Sequence, residues 1–414
     1  MNKYFVDLHV HIGRAGDGSP VKITAARSLT VAGILEECMV RKGIDIVGIV
    51  DASSPKVQID LARLMEAGFL RAMEGGGLRY KESVTLILGG EVETTDRVAG
   101  GAGVERERSA HCLCYFPHLP QMKEFTGEMS KPGRMKNPTL SSQKCRMTIQ
   151  GLWELVHGIG GIVIPAHVFT PHKGVYGSCV SSLREILTPE AWASIPAVEL
   201  GLSSDSNYAD MISELAGKSF ISDSDAHSLP KIGREYNIMC MQEPNFDELV
   251  LALRREGGRS VTGNYGFDPK LGKYHRTYCE DCSFTVRESP PVTACTQCGT
   301  KADGRNVVMG VIDRIYLIRD HDRPVPPDHR PHYQHQIPLQ NLPGIGPRTL
   351  EKLLGFNTEM EVLHKLSEQE ICKLVGSQTA ELIILAREGK LTVSAGGGGH
   401  YGRVTGRKDD SGEQ

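Results

Sequence analysis

No segment of the 414-residue sequence approaches the roughly 18 consecutive apolar residues of a membrane span. The opening, MNKYFVDLHV, has neither the basic start nor the long apolar run of a signal peptide. A soluble, cytoplasmic protein with no membrane partner is the expectation. Strong charge imbalance is absent too: 47 basic residues face 50 acidic ones, for a formal net charge of -3, which argues against binding polyanions through overall charge. Any nucleic-acid surface must be local. A disulfide framework is likewise missing, since four of the eleven cysteines form two close pairs and seven are scattered, a pattern that fits a reducing compartment. What the chain does have is length, enough for two or three domains, one with a full-sized core.

From residue 1 to about 265, short apolar runs alternate with stretches of helical period. The runs are FVDLHV, IDIVGIVD, VTLILGGEVE, HCLCYFP, GIVIPAHV, PAVELGLS and SFISDSDAHS, and between several of them lie helical segments such as ILEECMVRK and IQGLWELVHGIG. Strand, helix, strand at this spacing predicts parallel pairing and an α/β fold, a distorted (β/α) barrel. The polar residues come late in the runs, at the strand ends where such barrels build their sites.

The remainder divides into a cysteine module over 266–320, a Pro-rich linker or strap over 321–340, a helical region over 341–393, and a tail over 394–414 whose composition predicts disorder. A loop from Phe125 to Met147 is rich in Lys131, Arg134, Lys136, Lys144 and Arg146, which suits a basic lid near an anionic substrate as well as a solvated loop.

His9 and His11 flank Val10 at the end of the first run; on a strand, residues i and i+2 share a face, so both imidazoles can reach one ion. Glu91, His111, His167, Asp225 and His227 fall where further strands meet the rim. Nitrogen and carboxylate ligands converging on one mouth suit a hydrolytic centre of two or three divalent ions, zinc, manganese or magnesium. Glu91 is the candidate bridging carboxylate, and Asp225 a ligand, an orienter of water, or both. His9, Glu91 and Asp225 are the expected catalytic residues, with Asp17 and Asp51 as further candidates for a third ion and His227 as a further ligand of the centre. Cys279, Cys282, Cys295 and Cys298 form two CxxC knuckles separated by twelve residues, a spacing for structural zinc.

HVH, the DG at 17–18, the GGE at 89–91, His111, the AH at 166–167 and SDAH at 224–227 together resemble the polymerase and histidinol phosphatase (PHP) family of metal-dependent phosphoesterases. One position departs: Ala52 in VDA stands where that family commonly has a histidine, which favours two metals over three. A PHP-type barrel followed by a four-cysteine ribbon and a helical region with LPGIG, together with GNYGFDPKLGKYHRTYCEDC and KIGREYN, is similar to the endonuclease Q family across nearly the whole chain. That resemblance implies cleavage of DNA on the 5′ side of uracil, hypoxanthine, xanthine or an abasic site, leaving a 3′-hydroxyl and a 5′-phosphate. The partner implied is DNA carrying such lesions, bound by a monomer.

In NLPGIGPRTLEKLLGF, Gly344 and Gly346 let the backbone approach a phosphate, and the turn resembles the hairpin of helix-hairpin-helix DNA-binding modules. Gly344, Gly346 and Arg348, with Lys131, Arg134 and Lys136, are the expected DNA contacts. Lys173, Tyr176, Asn207 and Tyr208 lie on rim loops that could line a base pocket. A PHP phosphatase of a small ester, a PHP exonuclease of the polymerase-attached kind, and a non-catalytic DNA-binding scaffold are the competing readings.

Overall fold

The computed structural model describes residues 1–99, 105–302 and 306–407, with side chains to residue 404. All seven apolar runs become strands of one ring. Asn2–Val10 pairs in parallel with Ile46–Ile49, and that strand with Val84–Glu93. His111–Phe116 follows, then Ile162–Pro165. Ala197–Glu199 and Ser219–Ile221 pair in parallel; the Val168 N–H donates to the Glu199 carbonyl on one side, and a Val10–Ala226 bridge closes the ring on the other.

The expectation of parallel pairing throughout is corrected at one strand. His111–Phe116 runs antiparallel to both neighbours. Between Glu93 and His111 the chain makes a hairpin, Asp96–Ala99 against Glu105–Arg108, instead of a helical crossover, and without a crossover the next strand must return in the opposite sense. His111 therefore opens its strand at the same rim where the strands leading to Glu91 and His167 end.

Helices cover the ring as their patterns require. Ile149–Gly158, for example, begins at Thr148, whose hydroxyl accepts the Gly151 N–H, and buries Ile149, Leu152 and Val156 at helical spacing. One apolar cluster gathers Leu8, Ile87, Leu113 and Ile164 with Phe246 and Leu249, while a larger one joins the remaining helices to the sheet. Beyond Asn2–Val10 the sheet continues through Tyr236–Met241, Ser260–Gly266 and Tyr333–His335. That last strand belongs to the Pro-rich segment, which is a strap: Arg330 reaches Asp210 at 3.1 Å with both side chains buried, and its guanidinium lies over the Phe220 ring.

Tyr278–Cys279, Phe284–Thr285 and Val307–Val308 form the small sheet of the cysteine module. The C-terminal helices Pro347–Leu354, Glu359–His364, Glu368–Val375 and Ser377–Arg387 dock on the ring through Lys42 and Glu359, 2.6 Å apart and buried. Only a 3₁₀ turn, Leu339–Asn341, precedes LPGIG, because Pro338 leaves no room for a longer helix. Disorder over 394–414 is corrected in part: Leu391–Ser394 pairs with Arg403–Arg407 as a hairpin, whose ladder the glycine-rich composition did not forecast. Residues 408–414 lie outside the described residues. No helix among the described residues is long and apolar enough to cross a membrane.

Candidate metal centre

Two groups of ligand atoms meet at the rim. His9, His11 and Asp225 form one, and Glu91, His111 and His167 the other, each with its atoms within 4.8 Å of one another. Glu91 stands between them. Its Oε1 lies 2.7 Å from His111 Nδ1, 3.5 Å from His167 Nε2 and 3.6 Å from His9 Nε2, and its Oε2 lies 3.6 Å from His11 Nε2. Asp225 Oδ1 is 3.4 Å from His11 Nε2 and 3.7 Å from His9 Nε2. The Nε2 atoms of His9 and His11 are buried and have no hydrogen-bond partner among the described residues. Orphaned imidazole nitrogens facing carboxylates in a buried mouth fit divalent cations, which would satisfy the nitrogens and neutralise the acids at once.

The carboxylates are ionised for that role. Burial alone would raise Glu91, but the charges of His111 and Lys22 hold it well below the usual carboxylate range. Burial would raise Asp225 as well, and the neighbouring imidazoles of His11, His9 and His227 bring it well below. His167 and Asp225 also have positive φ, 28° and 44°. Non-glycine residues seldom adopt that region, and strain of this kind persists where surrounding structure holds a side chain to a task.

A further layer orients the ligands. His9 Nδ1 lies 2.9 Å from Glu199 Oε1, and Glu199 Oε2 accepts the His167 N–H. His11 Nδ1 lies 3.1 Å from Asp51 Oδ2, which also accepts the Ile12 N–H. Asp51 therefore sits behind His11 and outside both ligand groups. Asp17 is at the surface, paired with Lys56 at 2.6 Å, where it has no access to the mouth. His227 packs its ring 4.7 Å from that of His11 and lines the mouth without joining either group.

Several further residues of the site belong to none of the motifs. Glu199 interrupts the apolar run PAVEL, and a carboxylate inside a buried strand was the available signal. Lys22 Nζ is 3.3 Å from Glu91 Oε2 and 2.5 Å from Ser142 Oγ, and Ser142 also hydrogen-bonds Glu91. Nothing local marks Lys22 or Ser142; the fold alone brings them in. The basic loop thus touches the centre through serines, while Lys131 pairs with Glu128 at 2.6 Å and Arg134 and Lys136 line a separate cavity of about 1080 Å³ with Arg97, Lys144 and Arg146.

A cavity of about 290 Å³ opens over the two ligand groups, lined also by Lys22, His227, His172, Lys173, Lys273 and Tyr274. Of the rim-loop candidates only Lys173 lines it. Tyr176 is buried with its hydroxyl on Glu214, and Asn207 and Tyr208 lie elsewhere. In the ribbon, Cys279 and Cys298 sulfurs are 3.8 Å apart and those of Cys282 and Cys295 4.0 Å. Tetrahedral zinc with Zn–S bonds of ~2.3 Å sets sulfurs ~3.8 Å apart, so the four thiols fit that ion.

Fold, ligand groups and ribbon define a PHP-type metal-dependent hydrolase. The chain belongs to the same family as YqxK of Bacillus subtilis, with which it is 46% identical over 406 residues, 98% of this chain and 100% of YqxK. It is 34% identical over 229 residues to MJ0043 of Methanocaldococcus jannaschii, half of this chain and 28% of that protein. Among solved structures it resembles the lesion-specific endonuclease PfuEndoQ of Pyrococcus furiosus, with a TM-score of 0.79 and 27% identity over 97% of this chain and 95% of that one. It also resembles endonuclease Q in complex with a 27-mer duplex bearing an abasic lesion at the active site, with a TM-score of 0.80 and 28% identity over 99% and 97%. The likeness to endonuclease Q read from the motifs extends over the whole architecture. No protein-family model matches the chain.

Proposed function

We propose that this chain is a DNA repair endonuclease that hydrolyses the phosphodiester on the 5′ side of a deaminated base or abasic site, leaving a 3′-hydroxyl and a 5′-phosphate. The observation that carries the reading is Glu91, placed between two ligand groups under one open cavity in a chain with the endonuclease Q architecture.

His9, His11 and Asp225 would hold one divalent ion and His111 and His167 another, with Glu91 shared. Such ions lower the pKa of water and stabilise both the attacking and leaving oxygens of an in-line displacement at phosphorus. The chain's own groups do the rest. Asp225, with an oxygen turned to both histidines, orients the attacking water; the Lys22 ammonium at the cavity wall offers a charge-assisted hydrogen bond to a phosphate oxygen. Testing a base for deamination requires reading its Watson–Crick edge, so the lesion nucleotide is flipped into the cavity at a cost of a few kcal/mol, smallest where the base is mispaired or missing.

Binding is spread over the other parts. Gly344 and Gly346 are exposed, and an added Cβ would meet nothing within 4 Å at either. A DNA backbone can approach there, with Arg348 alongside, in a contact that positions the duplex without reading sequence. The organisation 1–265 barrel, 266–320 ribbon, 321–340 strap and 341–393 DNA-binding helices belongs to this reading, as does action as a cytoplasmic monomer.

The test is cleavage of labelled duplexes carrying one deoxyuridine, deoxyinosine or abasic site, with manganese, magnesium or zinc, beside an undamaged duplex and a phosphate monoester. Incision 5′ to the lesion, abolished by Asp225→Asn or His9→Ala, is expected. Monoester hydrolysis without incision would instead make the chain a small-ester phosphatase.

A further inference from the structure

Beside the metal centre lies a second pocket, of about 430 Å³, between the barrel, the LPGIG turn and the C-terminal hairpin. Lys231, Arg234 and Arg403 line it, together with the apolar walls of Phe267, Ile337 and Val404. No carboxylate is among its lining residues. Cations together with apolar side chains around one cavity suit an anionic ligand with an aromatic body, which is the chemistry of a nucleoside phosphate.

Its position ties it to the metals. Arg234, 8% exposed, donates from Nε to the Ser224 carbonyl at 2.7 Å and from Nη2 to the Asp225 carbonyl at 3.4 Å, so the pocket's floor is bonded to the loop carrying a metal ligand. Arg234 Nη1 donates to the Tyr401 hydroxyl at 3.2 Å. Lys273 stands between the two cavities: it lines the metal mouth and lies 5.9 Å from the Tyr401 ring, which lines the second pocket.

We propose that this pocket is a second nucleotide subsite. It takes a nucleotide of the strand being cut, next to the linkage at the metals, with a phosphate on Lys231 and Arg403 and the base against Phe267, Ile337 and Val404. The proposal rests on the reading of the chain as a DNA endonuclease. Stacking on an apolar wall is tolerant of base identity, so the subsite contributes affinity and register while the lesion is read in the metal cavity.

The experiment measures equilibrium binding of the metal-loaded, full-length protein to a lesion duplex with a non-hydrolysable phosphonate at the scissile linkage, across salt concentrations. Two variants, one at half-buried Lys231 with exposed Arg403 and one at exposed Asn341, are compared with the parent, their folding checked by circular dichroism. Lys231→Ala/Arg403→Ala is expected to weaken binding about tenfold and to lower the slope of log affinity against log salt by about one to two. Asn341→Trp, which blocks the pocket's mouth without removing charge, is expected to weaken binding similarly and keep the slope. Duplex affinity unchanged by Asn341→Trp overturns the proposal. So does saturable binding of free deoxyadenosine monophosphate that the double variant loses while its duplex affinity stays at the parental level, which would assign the pocket to a free nucleotide. A parent protein that neither binds nor cuts the duplex sinks the endonuclease reading itself, a result distinct from normal parental binding with unaffected variants.

Discussion

Glu199 holds His9 by the ring nitrogen facing away from the metal centre, 2.9 Å from Oε1 to Nδ1, and with its other oxygen accepts the backbone N–H of His167. One carboxylate thus orients a ligand from each group. Outer partners of this kind fix the tautomer and ring position, and their loss typically costs 10–100-fold in metal affinity. Glu199→Ala is expected to lower active-site metal affinity by about that factor and leave the ribbon's zinc in place. Metal titration followed by mass spectrometry reads both, and unchanged affinity would remove Glu199 from the centre.

Lys22 carries a second expectation. It is the ammonium closest to Glu91, largely shielded from solvent, and it lines the cavity a phosphate would enter. Removing a preorganised donor to developing charge commonly lowers kcat by about 10²-fold. Lys22→Met should do so with less effect on KM, whereas a rise in KM alone would make Lys22 a contact to the ground-state substrate.

For the ribbon, the prediction concerns folding. Zinc binding in such modules contributes roughly 10–16 kcal/mol, and around the knuckles only a small cluster of Cys279, Cys295 and Val307 packs together. Cys279→Ser should lose one zinc per chain, expose residues 279–298 to proteolysis and weaken DNA binding. Retained zinc and normal protease resistance would contradict it.

Glu235 predicts a pH dependence. Burial raises its carboxyl to about 8, against an ordinary value near 4.5, and its Oε2 has no hydrogen-bond partner among the described residues. Between those values the folded chain keeps a proton that the unfolded chain releases, so this group makes stability fall as pH rises from about 4.5 to 8; below 4.5 both states are protonated and there is no penalty. Glu235→Gln should flatten that fall and stabilise the protein at pH 8 by roughly a few kcal/mol relative to the parent. Urea midpoints at pH 5 and pH 8 decide it.

The strap gives the last prediction. Arg330 and Asp210 form a buried pair, and removing one partner strands the other, typically costing 3–5 kcal/mol. Asp210→Ala should destabilise the chain by that order, measured by denaturant unfolding. A loss below 1 kcal/mol would mean that residues 321–340 are held loosely.

Much of this protein is written locally. The apolar runs specify strands because burial demands a contiguous hydrophobic stretch, and His9, His11, Glu91, His111, His167 and Asp225 stand out because polar groups at the margins of such runs need a reason to be there. The cysteine knuckles are legible for the same reason: ligand spacing within a turn is a local property. Asp17 in a turn and Asp51 at a strand end have a ligand's chemistry, but an aspartate in either place can serve as readily in a surface ion pair, or behind a histidine, as on a metal.

Only the tertiary structure decided the rest. That Glu91 lies between both ligand groups, that Glu199 braces two histidines and that Lys22 reaches the mouth all depend on chain segments up to 190 residues apart meeting within a few ångströms. The reversed strand His111–Phe116 turns on whether a hairpin or a helix follows Glu93, and the pocket lined by Arg234 on how the last hairpin returns to the barrel. Local pattern determines which residues must be buried or bound, because that follows from each side chain's own solvation. Which of them face one another is settled by the packing of all the elements together.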